Sequence, residues 1–479
     1  MIRGLLSIYM PSYPTVLVYM LQSSEYQAKP YLRWIWRTTD FKKVMQRRSL
    51  ERTSAANKLL SALRLGILTQ LIFGLILIAE GLLNGLTGGI AFGVALILAY
   101  PFIWAHLLIV PLELGRLFVS KPAQKKQIAA SKNIFANHNA KKIAVVGSYG
   151  KTTMKELLNT VLSEGLKVAA TPANKNVSVS HAQFAKKLTG QEDVLIIEYG
   201  EGAPGDVANF SRLTHPTHAV ITGLAPAHLD QYKSLKAAGE DIFSVAKYLK
   251  GKNVYVNTES RETKPFLKDG FHLYNTGAAL GWKVIDAETD LRGTKFTIQK
   301  GNLTIPLESK LIGIHQIGFL AFVAALSLEF GLSEKQVQAG ISKTEPFEHR
   351  MQPYQLAGAW VVDDTYNGNL EGIRAGTQLL NDIDAKRKIY VTPGLVDQGE
   401  ENERVHVEIG KLIAEAKPDQ VVLMKNSVTN YIKKGLKQSD YKGELRVEDN
   451  PLEFYTNLSH FVAAGDLVVM QNDWTDNYA

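Results

Sequence analysis

Residues 141–156 read KKIAVVGSYGKTTMKE, so a lysine and two threonines stand where an apolar run meets a helix-forming one. Ile143–Val146 predicts a strand, Gly147, Ser148, Tyr149 and Gly150 a turn, and Lys151, Thr152 and Thr153 the start of a helix. Such a junction turns backbone N–H groups and the positive end of a helix dipole toward an anion. A lysine at this place bridges the outer phosphates of a nucleotide, and the threonine hydroxyl ligates its magnesium ion. The common form of the loop carries another glycine five positions before Gly150, where this chain has Val145. The plainer alternative is a strand-to-helix turn that happens to hold a lysine. Two further strand ends carry reactive groups. Glu198 closes the apolar run DVLIIE, where an acid can hold a metal ion, and His228 follows the run AVITGL by a few residues. Ligands of parallel sheets bind at the carboxyl ends of strands. Lys151 with Thr152, Glu198 and His228 are therefore expected on one sheet edge.

That expectation requires the intervening chain to alternate strands and helices. It does: strands are predicted at 142–147, 166–171, 193–198, 217–222 and 253–257, with helical stretches between them. The pattern means βαβ units and a parallel sheet covered on both faces. Residues 282–312 alternate in short runs and predict an antiparallel patch, followed by helices at 315–330 and 333–343. A second α/β unit has strands expected at 359–364, 387–393, 420–424 and 466–471, with 342–353 as linker. The expected fold class is thus α/β: a phosphate-loop ATPase domain, then a Rossmann-like domain. A cleft between two such domains is the natural place for a nucleotide site.

The first 140 residues differ in texture. The chain's net charge is +8, yet residues 1–64 alone carry eleven Lys/Arg against three Asp/Glu. Residues 65–140 add five against two, so 141–479 is net negative. Between Leu65 and Leu112 the only acidic or basic side chains are Glu80 and His106. Two spanning helices fit, at about 65–84 and 88–110, joined by NGLTGG, since a span needs roughly 20 apolar residues. Arg47, Arg48, Arg52, Lys58 and Arg64 flank one end, and Arg116, Lys121, Lys125 and Lys126 the other, which puts both ends in the cytoplasm. This basic excess beside an apolar segment points to membrane lipid and away from nucleic acid. Residues 4–22, with Pro11 and Pro14, are expected at the interface or partly inserted, and 47–64 as a basic amphipathic surface helix. The whole reads as a basic membrane-surface region at 1–64, a transmembrane hairpin at 65–118, and α/β domains at 141–345 and 346–479. With no cysteine, disulfides, thiolate catalysis and Cys-ligated metals are excluded.

Set in order, these blocks resemble the Mur ligases of peptidoglycan synthesis, in the branch that adds D-alanyl-D-alanine. GSYGKTT is similar to the family's GxxGKT loop, TPANKNVS to its Asn-containing segment, and VVDDTYNGNLEGIRAG to its DDSYNAN element. TPGLVDQGEENERVHVEIG resembles the segment after the next strand. The resemblance covers about 141 to the C-terminus. It implies ATP and Mg²⁺, with Gly147–Thr153 around the phosphates, Thr152 and Glu198 on one Mg²⁺ and His228 on a second. It implies Arg350 reaching the phosphates, Asp363 near the ribose with Tyr366 and Asn367 beside it, and Lys247 as a carbamylated lysine bridging magnesium. His315 falls in the family's HNxxN element, here His315-Gln316-Ile317-Gly318-Phe319, which lacks the last asparagine. The C-terminal KGS block is replaced by QNDWTDNYA, and the family's sugar-gripping N-terminal domain is not recognisable. The implied reaction is ATP-dependent amide formation through an acyl phosphate, joining D-Ala-D-Ala to a UDP-muramoyl peptide. The alternatives are a lipid-linked or other envelope substrate, or a nucleotide-binding membrane scaffold without catalysis.

Overall fold

The apolar runs after Lys141 pair side by side, as buried parallel strands without polar alternation must. The structure, a computed structural model, describes residues 6–24, 26–42, 44, 50–172, 175–226, 229–366, 368–395, 398 and 401–472. His228, Asn367, Arg47 and Arg48 lie outside the described residues. The chain divides into two compact units between Lys125 and Lys126.

The larger unit holds two sheets. The first runs β10-β9-β8-β7-β6-β5-β4-β1-β3-β2. Its parallel part is β1 (Lys141–Val146), β2 (Val168–Ala170), β3 (Val194–Glu198), β4 (His218–Ile221), β5 (Val254–Asn257) and β6 (His272–Asn275). β7 (Ala278–Ala279), β8 (Trp282–Asp290), β9 (Gly293–Lys300) and β10 (Leu303–Ser309) extend it antiparallel. Two apolar clusters sandwich the sheet. One joins the helices Lys151–Leu162 and Ile317–Glu329 to it, the other Asp206–Thr214 and Leu235–Ile242.

The second sheet runs β11-β12-β16-β13-β14-β15. Its strands are β11 (Gln352–Leu356), β12 (Ala359–Asp364), β13 (Arg387–Thr392), β14 (Gln420–Met424), β15 (Glu444–Glu448) and β16 (Asp466–Gln471). All pairs are parallel except β11 with β12. β11 begins inside the stretch expected as linker. QPYQL has no β-branched residue, and its proline is tolerated only because the strand is at an edge. The two-residue turn Ala357-Gly358 has both φ positive, the geometry that matches strand twist in a tight hairpin.

The smaller unit is built on α1 (Tyr13–Ser23), α2 (Ala28–Arg37), α3 (Ser54–Leu83) and α4 (Thr87–Leu107). α3 and α4 are long and apolar enough to cross a membrane, by length and composition. The expected separate surface helix over 47–64 is instead, from Ser54, the first turns of α3, because nothing in 54–64 breaks a helix and Thr53 caps its start from Ala56. α1 packs Val16, Leu17, Met20 and Leu21 into a core with Leu60, Leu63, Ala105 and Ile109. Pro101 removes a backbone donor from α4. On one side of that helix, Tyr9, Tyr13 and Tyr31 donate to the carbonyls of Leu98, Pro101 and Ala105. α3 and α4 approach closely where Gly74 meets Ile97 and the Gly93 carbonyl. Outward they expose a belt of large apolar side chains, including Leu65, Leu68, Phe73, Leu75, Phe92, Leu98 and Phe102.

Candidate nucleotide site

The loop after β1 owes its shape to two glycines. Gly147 has φ +147°, and a Cβ there would strike the Thr222 hydroxyl and the Gly223 carbonyl. Gly150 has φ +71° and caps the helix Lys151–Leu162, with the Phe319 ring 2.7 Å from where its Cβ would be. Tyr149 lies over Gly223, and burial raises its hydroxyl's pKa.

Lys151 Nζ donates to the Gly147 carbonyl at 2.5 Å and pairs with Glu201 at 3.1 Å. The amine is thus held at the loop by groups that a phosphate can replace. Thr152 Oγ1 donates to Glu198 Oε1 at 3.2 Å, and Asn176 Nδ2 reaches the same oxygen at 3.4 Å. Glu198 Oε2 is buried without a hydrogen bond, 3.6 Å from the amine of Lys155. Lys155 is fully buried and donates to the Thr171 carbonyl at 2.9 Å. His181 donates through Nε2 to the Glu198 carbonyl at 2.9 Å, and burial lowers its pKa to about 4.

Across a cleft of about 680 Å³ stand residues of the second sheet. Arg350 stacks on the Tyr366 ring, 4.4 Å from its centroid. Asp364 accepts from the Met351 N–H at 3.1 Å and from Gln471 at 2.7 Å, and burial raises its pKa to about 7. His315 also lines the cleft, 2.9 Å from the Gln316 amide, and burial lowers its pKa to about 4.

Ser148 to Thr153, Glu198, His315 and Arg350 therefore share one cleft, with Gly147 at its base. Two expected residues stand elsewhere. Lys247 is exposed on another cavity, because the short helix Ser244–Tyr248 turns it toward Lys236 and Phe271. Asp363 is not a wall of the cleft. Side chains alternate along β12, so it turns to His349 Nδ1 (2.7 Å) and the Thr365 hydroxyl (2.7 Å), while its neighbour Asp364 faces the cleft. Glu201, Lys155, Asn176 and Asp364 were not singled out from sequence. Glu201 and Lys155 stand three and four residues beyond Glu198 and Lys151, a spacing that could have suggested them.

An orphaned carboxylate oxygen beside a threonine hydroxyl suits a divalent cation, so Thr152 and Glu198 fit a magnesium site. Among the described residues no three acids or histidines gather to hold a metal unaided.

Residues 128–326 match the family of the Mur ligase middle domain. This part of the chain is similar to that domain. The UDP-N-acetylmuramoyl-tripeptide–D-alanyl-D-alanine ligase of Escherichia coli is 29% identical over 294 residues, 59% of this chain and 64% of that one. Its Bacillus subtilis counterpart is 26% identical, over 58% and 61%. The chain thus spans a little over three-fifths of these curated relatives. The Mur ligase fold continues beyond the middle domain. MurF of Thermotoga maritima, solved with ADP, superimposes with a TM-score of 0.63 over 73% of this chain and 80% of its own, at 19% identity. A pseudomurein peptide ligase of Methanothermus fervidus shares the fold with a TM-score of 0.55 at 15% identity, over 71% and 78%. The fold by itself does not choose the substrate.

Proposed function

We propose that this chain is an ATP-dependent amide ligase of the MurF type, joining D-Ala-D-Ala to a UDP-muramoyl peptide on the cytoplasmic side of the membrane. The observation that carries the reading is the cleft, where Lys151, Thr152 and Glu198 face Arg350. The family of residues 128–326 and the names of the relatives support it.

In this reading the substrate carboxylate takes the γ-phosphoryl group of ATP, releasing ADP and leaving an acyl phosphate. The incoming amine then adds to the carbonyl, loses a proton and displaces phosphate. Lys151 leaves Glu201 to bridge the outer phosphates, and Arg350 approaches them from the second sheet. Both stabilise charge that develops on the transferred group. Thr152 and Glu198 would hold a magnesium ion, which when bound draws charge from the phosphoryl oxygens. Asn176 and the buried Lys155 fix the Glu198 carboxylate, so it needs little rearrangement. His228 as ligand of a second magnesium and Lys247 as a carbamylated bridge remain part of the resemblance alone. In this structure the Lys247 amine belongs to the other cavity.

A second reading changes only the acceptor. The exposed apolar belt on α3 and α4 supports a membrane hairpin, which would bring the ligase to a lipid-linked precursor. Purified chain given ATP, D-Ala-D-Ala and UDP-muramoyl tripeptide should release ADP and yield a product heavier by the dipeptide residue. Ligation of only the lipid-linked tripeptide would favour the second reading. No ADP release with either acceptor would refute both.

A further inference from the structure

The helix α2, AKPYLRWIWR, carries Lys29, Arg33 and Arg37 and no acid. Its inner side is anchored. Tyr31 is buried and donates to the Ala105 carbonyl at 2.9 Å, and Leu32 and Ile35 pack on the same core. Its outer side presents Lys29, Arg33, Trp36 and Arg37. Trp36 is 72% exposed, although its indole N–H donates to His106 at 3.2 Å. A tryptophan left in water among three cations has no explanation in the packing of this unit.

Its level along the hairpin supplies one. From Thr87 to His106 is twenty helical residues, about 30 Å at 1.5 Å per residue. The same count back along α3 from Leu83 reaches Arg64, the last charge before its apolar run. A hydrocarbon core is about 30 Å thick. α2 therefore lies against the hairpin one hydrocarbon thickness from the Asn84–Leu86 turn, at the depth where tryptophan rings and basic side chains meet headgroups.

We infer that α2 is an interfacial anchor whose Trp36 enters the headgroup layer while Lys29, Arg33 and Arg37 bind anionic phospholipid. This rests on the membrane reading of α3 and α4, and extends it by naming the contact surface and the lipid charge. Basic side chains near an anionic leaflet are drawn to it within a Debye length, and an exposed indole suits the boundary between apolar and wet surroundings. The anchor would fix how the hairpin sits in the bilayer.

The chain has no cysteine, so single labelling sites need no background removal. The full chain would be reconstituted in nanodiscs of phosphatidylcholine, with or without phosphatidylglycerol. One variant carries an environment-sensitive fluorophore at Trp36→Cys, where the label takes the indole's place, and another carries it at Leu75→Cys on α3. The expected result is a hydrocarbon-like Leu75 probe in both lipids. The Trp36 probe should be quenched at least twofold more by a headgroup-borne spin label in phosphatidylglycerol discs than in neutral ones. Adding Arg33→Gln and Arg37→Gln should abolish that difference and leave the Leu75 probe unchanged. A Trp36 probe in water in both lipids, or quenched equally in both, while Leu75 reports hydrocarbon, overturns the inference alone. A Leu75 probe in water overturns the hairpin reading and this inference with it.

Discussion

At the residue scale, the clearest test is Lys151. Among the described residues its amine touches the loop carbonyl and Glu201, and it sits at the cleft, so its loss should spare the fold. Lys151→Ala should lower turnover by roughly 10²–10³-fold, the range for removing one preorganised charge-stabilising donor. ADP release is the measurement, with an unchanged circular dichroism spectrum as control; near-normal turnover would remove this lysine from the mechanism. Asp364 makes a second test. Its folded pKa of about 7 lies above the ordinary 3.8, so between those values the folded state keeps a proton that the unfolded chain has lost. Stability from this group is therefore highest below pH 4 and falls as pH rises toward 7, by at most about 1.4 kcal/mol per unit. Asp364→Asn cannot titrate. The stability difference between wild type and variant, from denaturant melts, should drift against wild type from pH 4 to 7 and then level off. A flat difference would mean that the carboxyl is ionised throughout. Asp364 was not legible in the sequence, because it acts through burial, and Lys155 had only its spacing from Lys151 to suggest it. A charged residue on a strand end or helix looks solvated until the packing is known.

At the scale of elements, the sequence disclosed those whose pattern is local. The strand-turn-helix at 141–156 is written in an apolar run and two glycines, and β3, β4 and β5 in runs with no polar alternation. What escaped depended on neighbours. β11 is a strand only because β12 offers it an edge, and α1 is buried only because α3 and α4 provide a wall. The loop also shows how one backbone angle governs a site. At Gly150, φ of +71° costs a residue with a Cβ about 1–2 kcal/mol, and the Phe319 ring blocks the space besides. Gly150→Ala should thus destabilise the protein by at least that much and tilt the first turn of the helix Lys151–Leu162. Fluorescent ATP-analogue binding should weaken more than tenfold. Unchanged affinity together with unchanged melting would show that the loop tolerates another path.

For the whole molecule, the question is whether binding and membrane attachment are separable. The two units have their own cores. Tyr13, Leu17, Leu63 and Ile109 belong to one, while Ile143, Ile196, Leu320 and Phe322 belong to another, formed by residues after Lys125 in the sequence. The charge divides likewise, with the basic excess before residue 141 and a net negative remainder. That division was legible from composition, since spans and α/β domains differ in hydropathy over tens of residues. All described residues that line the nucleotide cleft lie between Ser148 and Gln398. Residues 126–479 expressed alone should therefore remain in the supernatant and fold. They should also gain stability from nucleotide as RT ln(1 + [L]/Kd), about 2.7 kcal/mol when ADP stands at 100 times its Kd. The full chain should pellet with membranes and need detergent for release. Thermal melts with and without Mg²⁺-ADP, together with flotation of both chains, decide the matter. A truncated chain that folds but gains nothing from ADP would mean that residues before 126 help form the nucleotide site. A full chain that stays soluble without detergent would mean that α3 and α4 bury their apolar belt against protein instead of lipid.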